Sequence, residues 1–186
     1  MAFPPAHMLI GAAVAEVARA PMREPPPRLA AWLVGAMLAV APDADIILGL
    51  LLGRGGVYHG TFTHSIAAVL AWAAIGQAIG GWRWAAISGA AYGSHLVVDL
   101  LDATGPTNLM LGWPISGKKP YAIGELFPRV PVQGDGPWDT LLNVLRPGPL
   151  RLLVEQTLLA AGVAAGLLLL AWGVRRLRRR TSEGPG

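Results

Sequence analysis

The chain has 186 residues, 53% hydrophobic and 14% charged, against roughly 25% charged in an ordinary soluble domain. Its apolar residues fall in long, nearly uncharged blocks, which sets a soluble globular fold aside in favour of a membrane protein. The formal net charge is +4 and cysteine is absent, so disulfides and thiolate ligands are excluded and any metal must rely on His, carboxylate or main-chain oxygen.

In chain order the first apolar segment is Met8–Ala18, interrupted by Glu16. It is read as a retained helix, because no Lys or Arg precedes it as the basic n-region of a cleaved leader requires. The proline-rich, basic stretch Pro21–Arg28 joins it to Leu29–Ala41, a helix that Pro42 is expected to end. Thirteen residues at 1.5 Å each cover only ~20 Å of a ~30 Å hydrocarbon core, so these two helices are short. Ile46–Gly53 is another apolar patch, too short to span. Ile66–Trp82 and Trp84–Val98 form a hairpin about Arg83. Their Gly76-x-x-x-Gly80 and Gly89-x-x-x-Gly93 spacings suit close helix packing in lipid. A Pro/Gly-rich loop follows from Asp102 to Arg151, and Leu152–Val174 reads as a transmembrane helix ending at an arginine cluster.

The expected fold is therefore all-α, a polytopic membrane bundle of about four helices carrying a site, plus a C-terminal transmembrane helix. Residues 1–116 form the bundle, 117–150 the loop, 151–174 the last helix and 175–186 a basic cytoplasmic tail. Five arginines lie within Arg175–Arg180 straight after an apolar run, the mark of a cytoplasmic membrane flank rather than a nucleic-acid patch.

The ionisable residues sort by end. His7 opens the first helix, Asp43 and Asp45 follow the second, His64 opens the third, and His95, Asp99 and Asp102 close the fourth. From Arg83, His64 lies nineteen residues back and Asp99 sixteen on, so an up-and-down bundle brings all these groups to one membrane face. His59 is the remaining histidine of the four. The opposite end collects Arg19, Arg23, Arg28 and Arg83 with Trp32, Trp82 and Trp84, as positive-inside and aromatic-belt residues do. On this topology the site faces outward and the C-terminus is cytoplasmic, although Lys118, Lys119, Arg129, Arg146 and Arg151 then lie on the outer side. Ser88, Tyr92, His95, Asp99 and Asp102 step by four, three, four and three, one polar stripe on an apolar helix. A lone His on such a helix is ordinarily a satisfied core residue. Gathered imidazoles and carboxylates instead match the mixed donors zinc accepts at about 2.0–2.2 Å, and a shared cation offsets the cost of acids at membrane depth.

Pro42-Asp43-Ala44-Asp45, His59-Gly60-Thr61-Phe62-Thr63-His64-Ser65 and Ser94-His95-Leu96-Val97-Val98-Asp99 with Thr104-Gly105 resemble the motifs of the YdjM-like membrane-bound, metal-dependent hydrolases. Leu109–Pro114 fits the family's Leu-rich element ending in Pro, and His7-Met8-Leu9-Ile10-Gly11 resembles its opening motif with Ala6 in place of a threonine. The match runs from about His7 to Ser116. One departure stands out: Gly60-Thr61 occupies the family's usual Arg-Gly, so an anion-binding role for that arginine is lost or moved here. The resemblance extends distantly to zinc-dependent phospholipases C and related nucleases. It implies that Asp43 or Asp45, His64, His95 and Asp99 form the principal metal site, with His7 and His59 completing a second site or holding its water.

The expected function is hydrolysis of a phosphoester, with lipids among the expected substrates, by water activated on a divalent metal, zinc foremost, with Asp45 or Asp102 as general base. The bilayer is the expected partner, with a lipid or phosphoester substrate and no nucleic acid on the basic tail. Two other readings stay open: a non-catalytic membrane protein with a structural or sensing metal, and an ion transporter using the polar stripe.

Overall fold

The computed structural model describes residues 3–52, 55–101, 106–128, 130–131 and 142–182. Its helices are α1 (Pro4–Arg19), α2 (Arg28–Leu38), α3 (Ala44–Leu51), α4 (Ile66–Gly80), α5 (Trp82–Asp99) and α6 (Pro147–Ser182). Single 3₁₀ turns lie at Ala41–Asp43, Gly55–Tyr58 and Phe62–His64. Strands β1 (Thr107–Leu109) and β2 (Lys119–Tyr121) pair antiparallel, with Asn108 opposite Pro120. The protein is thus a helical bundle with one small hairpin, as composition and periodicity anticipate.

Helix α1 starts with prolines in its first turn, where a missing N–H breaks no helical bond. It packs against α2, α5 and α6, while α4 and α5 form the hairpin turning at Gly81. Gly81 has φ +74°, a conformation that costs glycine nothing and other residues a Cβ clash. The packing is small inside and large outside. Ala6, Ala13, Ala15, Ala31, Ala39, Ala91 and Ala160 are buried, whereas Ile79 is 80% and Leu169 68% exposed. A water-soluble bundle would do the reverse; a bilayer removes the penalty on exposed leucine and leaves close backbone packing as the main attraction.

Glycine makes that packing possible at two seams. A Cβ on Gly11 would lie 2.3 Å from the Ala39 Cβ and 2.5 Å from the Gly35 carbonyl oxygen. A Cβ on Gly76 would lie 2.6 Å from the carbonyl oxygen of Trp84. The first seam brings α1 onto α2, and the second closes the α4–α5 hairpin.

Two expectations change. Helix α2 ends at Leu38, before Pro42, and the chain passes through one 3₁₀ turn into α3 instead of stopping. Proline is tolerated there because the first residues of a turn have no N–H bond to lose. Together Arg28–Gly49 make 22 residues of mean hydropathy 1.7, long and apolar enough to cross a membrane. The second such stretch is Pro147–Thr181, with mean hydropathy 2.1. Helix α6 is one element of 36 residues, about 54 Å long, not a span of 151–174 followed by a separate tail. Arginine is a strong helix former, no glycine or proline intervenes before Gly184, and Arg176 stacks on Trp172 at 5.2 Å.

The segment after α5 folds back over the end where α5 stops. The N–H groups of Leu126 and Phe127 donate to the Leu101 carbonyl at 2.9 Å, and Ile66 N–H donates to Leu111. Gln156 of α6 is fully buried. It accepts from Phe3 N–H at 2.5 Å and donates to Pro128 O at 2.8 Å, tying both chain ends of the bundle together.

Candidate metal centre

Helix direction delivers the polar groups as sequence alternation requires. His7 comes from the first turns of α1, Asp43 and Asp45 from the α2–α3 junction, His59 and His64 from the segment before α4, and His95 and Asp99 from the last turns of α5. His7, His64, His95 and Asp99 are wholly buried, and Asp45 nearly so. The side chains of His59 and Asp43 keep 18% and 12% of their exposure, so the cluster opens to the surface through that pair.

The tautomers follow from fixed acceptors. His95 Nδ1 lies 2.8 Å from the carbonyl oxygen of Ala39, which can only accept, so Nδ1 carries the proton and Nε2 the lone pair. His64 Nδ1 lies 3.3 Å from Asp45 Oδ2 and 3.0 Å from Thr63 Oγ1. Thr63 donates to Asp45 Oδ2 at 2.6 Å, which leaves the hydroxyl oxygen free to accept from His64. Both imidazoles therefore turn Nε2 inward, and these two nitrogens stand 3.1 Å apart. In the neutral imidazoles the two facing lone pairs repel, and cationic charge bound beside them would relieve that repulsion.

The carboxylates complete the arrangement. Asp99 Oδ2 is 3.3 Å from His95 Nε2 and 3.6 Å from His64 Nε2. Asp43 Oδ1 is 3.6 Å from His95 Nε2 and 3.8 Å from His64 Nε2. A tetrahedron with ligand bonds of about 2.0 Å has edges of roughly 3.3 Å. On the flanks, His7 Nε2 stands 3.5 Å from Asp99 Oδ1, and His59 Nδ1 stands 3.7 Å from Asp43 Oδ1 and 3.1 Å from Asp45 Oδ1. The ring of His7 stacks on that of His95 at 4.0 Å.

Both nitrogens of His7, both carboxylate oxygens of Asp99 and Oδ1 of Asp43 are buried without a hydrogen-bond partner. Buried polar atoms are almost always paired, and an ionised one left alone costs several kcal/mol. The donor chemistry fits a divalent ion with nitrogen and oxygen preference. Two triads can hold one: His7, His95 and Asp99, and Asp43, His59 and His64, each with ligand atoms within 4.8 Å of one another.

All seven expected metal residues thus converge. Asp45 differs in kind, since both its oxygens are engaged by His59, Thr63 and His64. Asp102, expected as a base, lies outside the described residues, as do Thr104 and Gly105. Three groups support the site in roles the sequence reading did not assign: Thr63, the Ala39 carbonyl, and Tyr92, whose hydroxyl donates to Thr63 O at 2.7 Å and pins the His-bearing segment to α5. Tyr92 lies on the recognised polar stripe; a main-chain carbonyl carries no side-chain signal. Ser65 caps α4, accepting from Ala68 N–H at 3.1 Å, as its position before the helix suggests.

The family model for the YdjM inner membrane protein matches residues 1–180. The chain belongs to that family. As a YdjM family member with two helical stretches of spanning length, it is a membrane protein. No curated protein and no solved structure matches it. The family's opening His-x-x-x-Gly spacing has a physical meaning in this chain: Gly11 admits Ala39, whose carbonyl orients His95. The departure at Gly60 is explained as well. Its φ is +73° and a Cβ would lie 2.6 Å from Asn108 O, so no arginine side chain fits there.

Proposed function

We propose that this YdjM family protein is a membrane-embedded, metal-dependent hydrolase of phosphoesters, with amphiphilic lipids as the substrate class. The observation that carries the reading is the division of the cluster into two triads. Three protein ligands per ion leave an open position, the pattern of catalytic rather than structural zinc. Divalent ions held there would lower the pKa of a bound water toward ~7 and polarise a phosphoryl oxygen.

The protein's own groups have distinct tasks in this reading. His7, His95 and Asp99 hold one ion, and Asp43, His59 and His64 the other. Asp45 positions His59 and His64, in the way that carboxylates orient metal-bound imidazoles. With both Asp45 oxygens occupied, the general-base role passes to Asp102. Lys118 donates to His59 O at 2.6 Å and brings an exposed ammonium to the mouth of the cluster, where the family arginine cannot stand. An apolar groove of about 480 Å³ runs beside the site, lined by Ile10, Val14, Val97, Val98 and Leu167 among others. Ile10 is one turn from His7 and Val98 adjoins Asp99, so a lipid chain in the groove would place its headgroup by the cluster.

Charge supports the site facing outward, with the Arg19, Arg28 and Arg175 end in the cytoplasm. A transporter is disfavoured. The acids at the arginine end are ion-paired, Glu16 with Arg19 and Glu24 with Arg83. Between them and the cluster α1 presents Ile10, Ala13 and Ala15.

The second reading is one closed structural ion held by Asp43, His64, His95 and Asp99, favoured by their near-tetrahedral spacing. A zinc-loaded preparation assayed on soluble phosphodiesters and on phospholipid micelles separates the two. We expect turnover that a chelator abolishes and that His59→Ala and Asp102→Asn lose. Metal bound with no hydrolysis of any of these substrates would favour the structural ion.

A further inference from the structure

The end of the bundle away from the metal cluster carries a second built feature. A cavity of about 190 Å³ lies between the C-terminal end of α1, the loop after it and α6, lined by Arg19, Arg23, Arg175, Arg178 and Arg179 with Ala20, Met22 and Pro25. Twelve residues of α1 separate Arg19 from His7, about 18 Å along the helix, so the two sites are separate.

Three of these arginines, Arg19, Arg175 and Arg178, are held in place by partners within the bundle. Glu16, buried in the bundle, accepts from Arg19 at 2.8 Å and from Trp32 Nε1 at 2.9 Å, and it also pairs with Arg175. Arg19 Nε donates to Pro26 O at 2.9 Å, and Arg178 donates to the carbonyls of Pro21 and Met22. The loop is therefore clamped onto α6, and the guanidinium groups of Arg19, Arg175 and Arg178 are fixed around the opening. Glu16 is one carboxylate against five lining arginines. Counting Glu24, which follows Arg23 in sequence and pairs with Arg83, still leaves positive charge in excess. Part of that charge offsets the partial negative charge of the α1 C-terminus, equivalent to about half a unit; the remainder gives the opening a positive field that attracts anions.

We propose that this cavity binds a phosphate group, presented by an anionic lipid headgroup at the membrane surface. Guanidinium forks match phosphate oxygens bidentately, and basic pockets between membrane helices on the cytoplasmic side take anionic headgroups. The volume admits a headgroup phosphate, not a whole lipid. Beside the cavity Leu169, Leu170 and Trp172 of α6 are exposed and offer a surface for the attached chains. The inference is independent of the hydrolase reading.

The test uses the full chain purified in zwitterionic detergent, with thermal unfolding and native mass spectrometry as readouts. Short-chain phosphatidylglycerol, phosphatidylcholine and inorganic phosphate are added in separate arms. Two charge-matched double variants are compared: Arg23→Gln with Arg179→Gln at the cavity, and Arg176→Gln with Arg180→Gln on the same basic segment outside it. We expect phosphatidylglycerol to be retained and to raise the midpoint, with both effects lost in the cavity variant and kept in the other. Stabilisation by inorganic phosphate to the same extent would support the site with free phosphate as its ligand. Equal loss in both variants would overturn the proposal in favour of diffuse surface attraction, and so would stabilisation by neither anion. A cavity pair changed to lysine keeps the charge and folds under the same constraint; full binding by that variant would also overturn forked recognition.

Discussion

His64 and His95 show how a site is set by groups that do not touch its ligand. A carboxylate and a hydroxyl on one imidazole, and a main-chain carbonyl on the other, turn both Nε2 atoms into the interior of the cluster. Such orienting partners are worth about 10–100-fold in metal affinity. An Asp45→Asn variant is accordingly expected to weaken zinc binding within that range while keeping the stoichiometry, measured by competition against a chromophoric chelator. A variant that loses the ion altogether would make Asp45 a ligand. His7, Asp43, Asp45, His64, His95 and Asp99 were legible because alternation of helix direction puts each of them at one end, whereas His59 lies off the helices. Thr63 and Ala39 were not, since hydroxyls next to histidines are commonplace and a carbonyl belongs to every residue. Gly60 was legible only as a departure; its left-handed backbone and the closeness of Asn108 O supply the reason.

Among the elements, α1 and α2 approach at Gly11 and Gly35, and α4 and α5 at Gly76. The hairpin spacing was visible because both of its glycine pairs recur within single helices. The Gly11–Gly35 contact was not, because it joins glycines of different helices whose register only packing sets. Gly11→Leu is expected to lower stability by about 1–3 kcal/mol, the usual cost of forcing extra carbon into a packed interior. It should also reduce zinc affinity, because displaced Ala39 no longer holds His95. Gly162→Ala is the contrast: a Cβ there meets nothing within 4 Å, and it should leave stability unchanged or raise it by up to about 1 kcal/mol. Thermal unfolding in detergent reads both. The α2–α3 connection misled the sequence reading for a related reason. Proline breaks a helix interior, yet at the head of a 3₁₀ turn it merely redirects the chain, and which case applies depends on tertiary contacts.

For the whole molecule, charge is sorted to two ends and each end is cross-linked. At one, Glu16 joins α1 to α6 through Arg175 and to the following loop through Arg19. Glu16→Ala strands the half-buried guanidinium groups of Arg19 and Arg175 and should cost about 2 kcal/mol, as charged hydrogen bonds commonly do, seen as a lower unfolding midpoint. At the other end the cluster draws ligands from α1, the α2–α3 junction, the segment before α4, and α5, so bound metal resists separation of all four. Zinc at 100 times its dissociation constant should stabilise the fold by about 2.7 kcal/mol for each ion bound, and a chelator should reverse that shift. The extent of α6 exceeded expectation because an arginine run reads as a boundary in hydropathy while remaining favourable for helix.

The central claim is that the His/Asp cluster holds two ions, each with a free position. Metal stoichiometry of the detergent-purified protein tests it directly, comparing the wild type with His7→Ala and His59→Ala. Two triads predict two equivalents of zinc per chain, with one lost in each variant. A metal-free wild type would contradict it, as would a single equivalent that neither substitution disturbs.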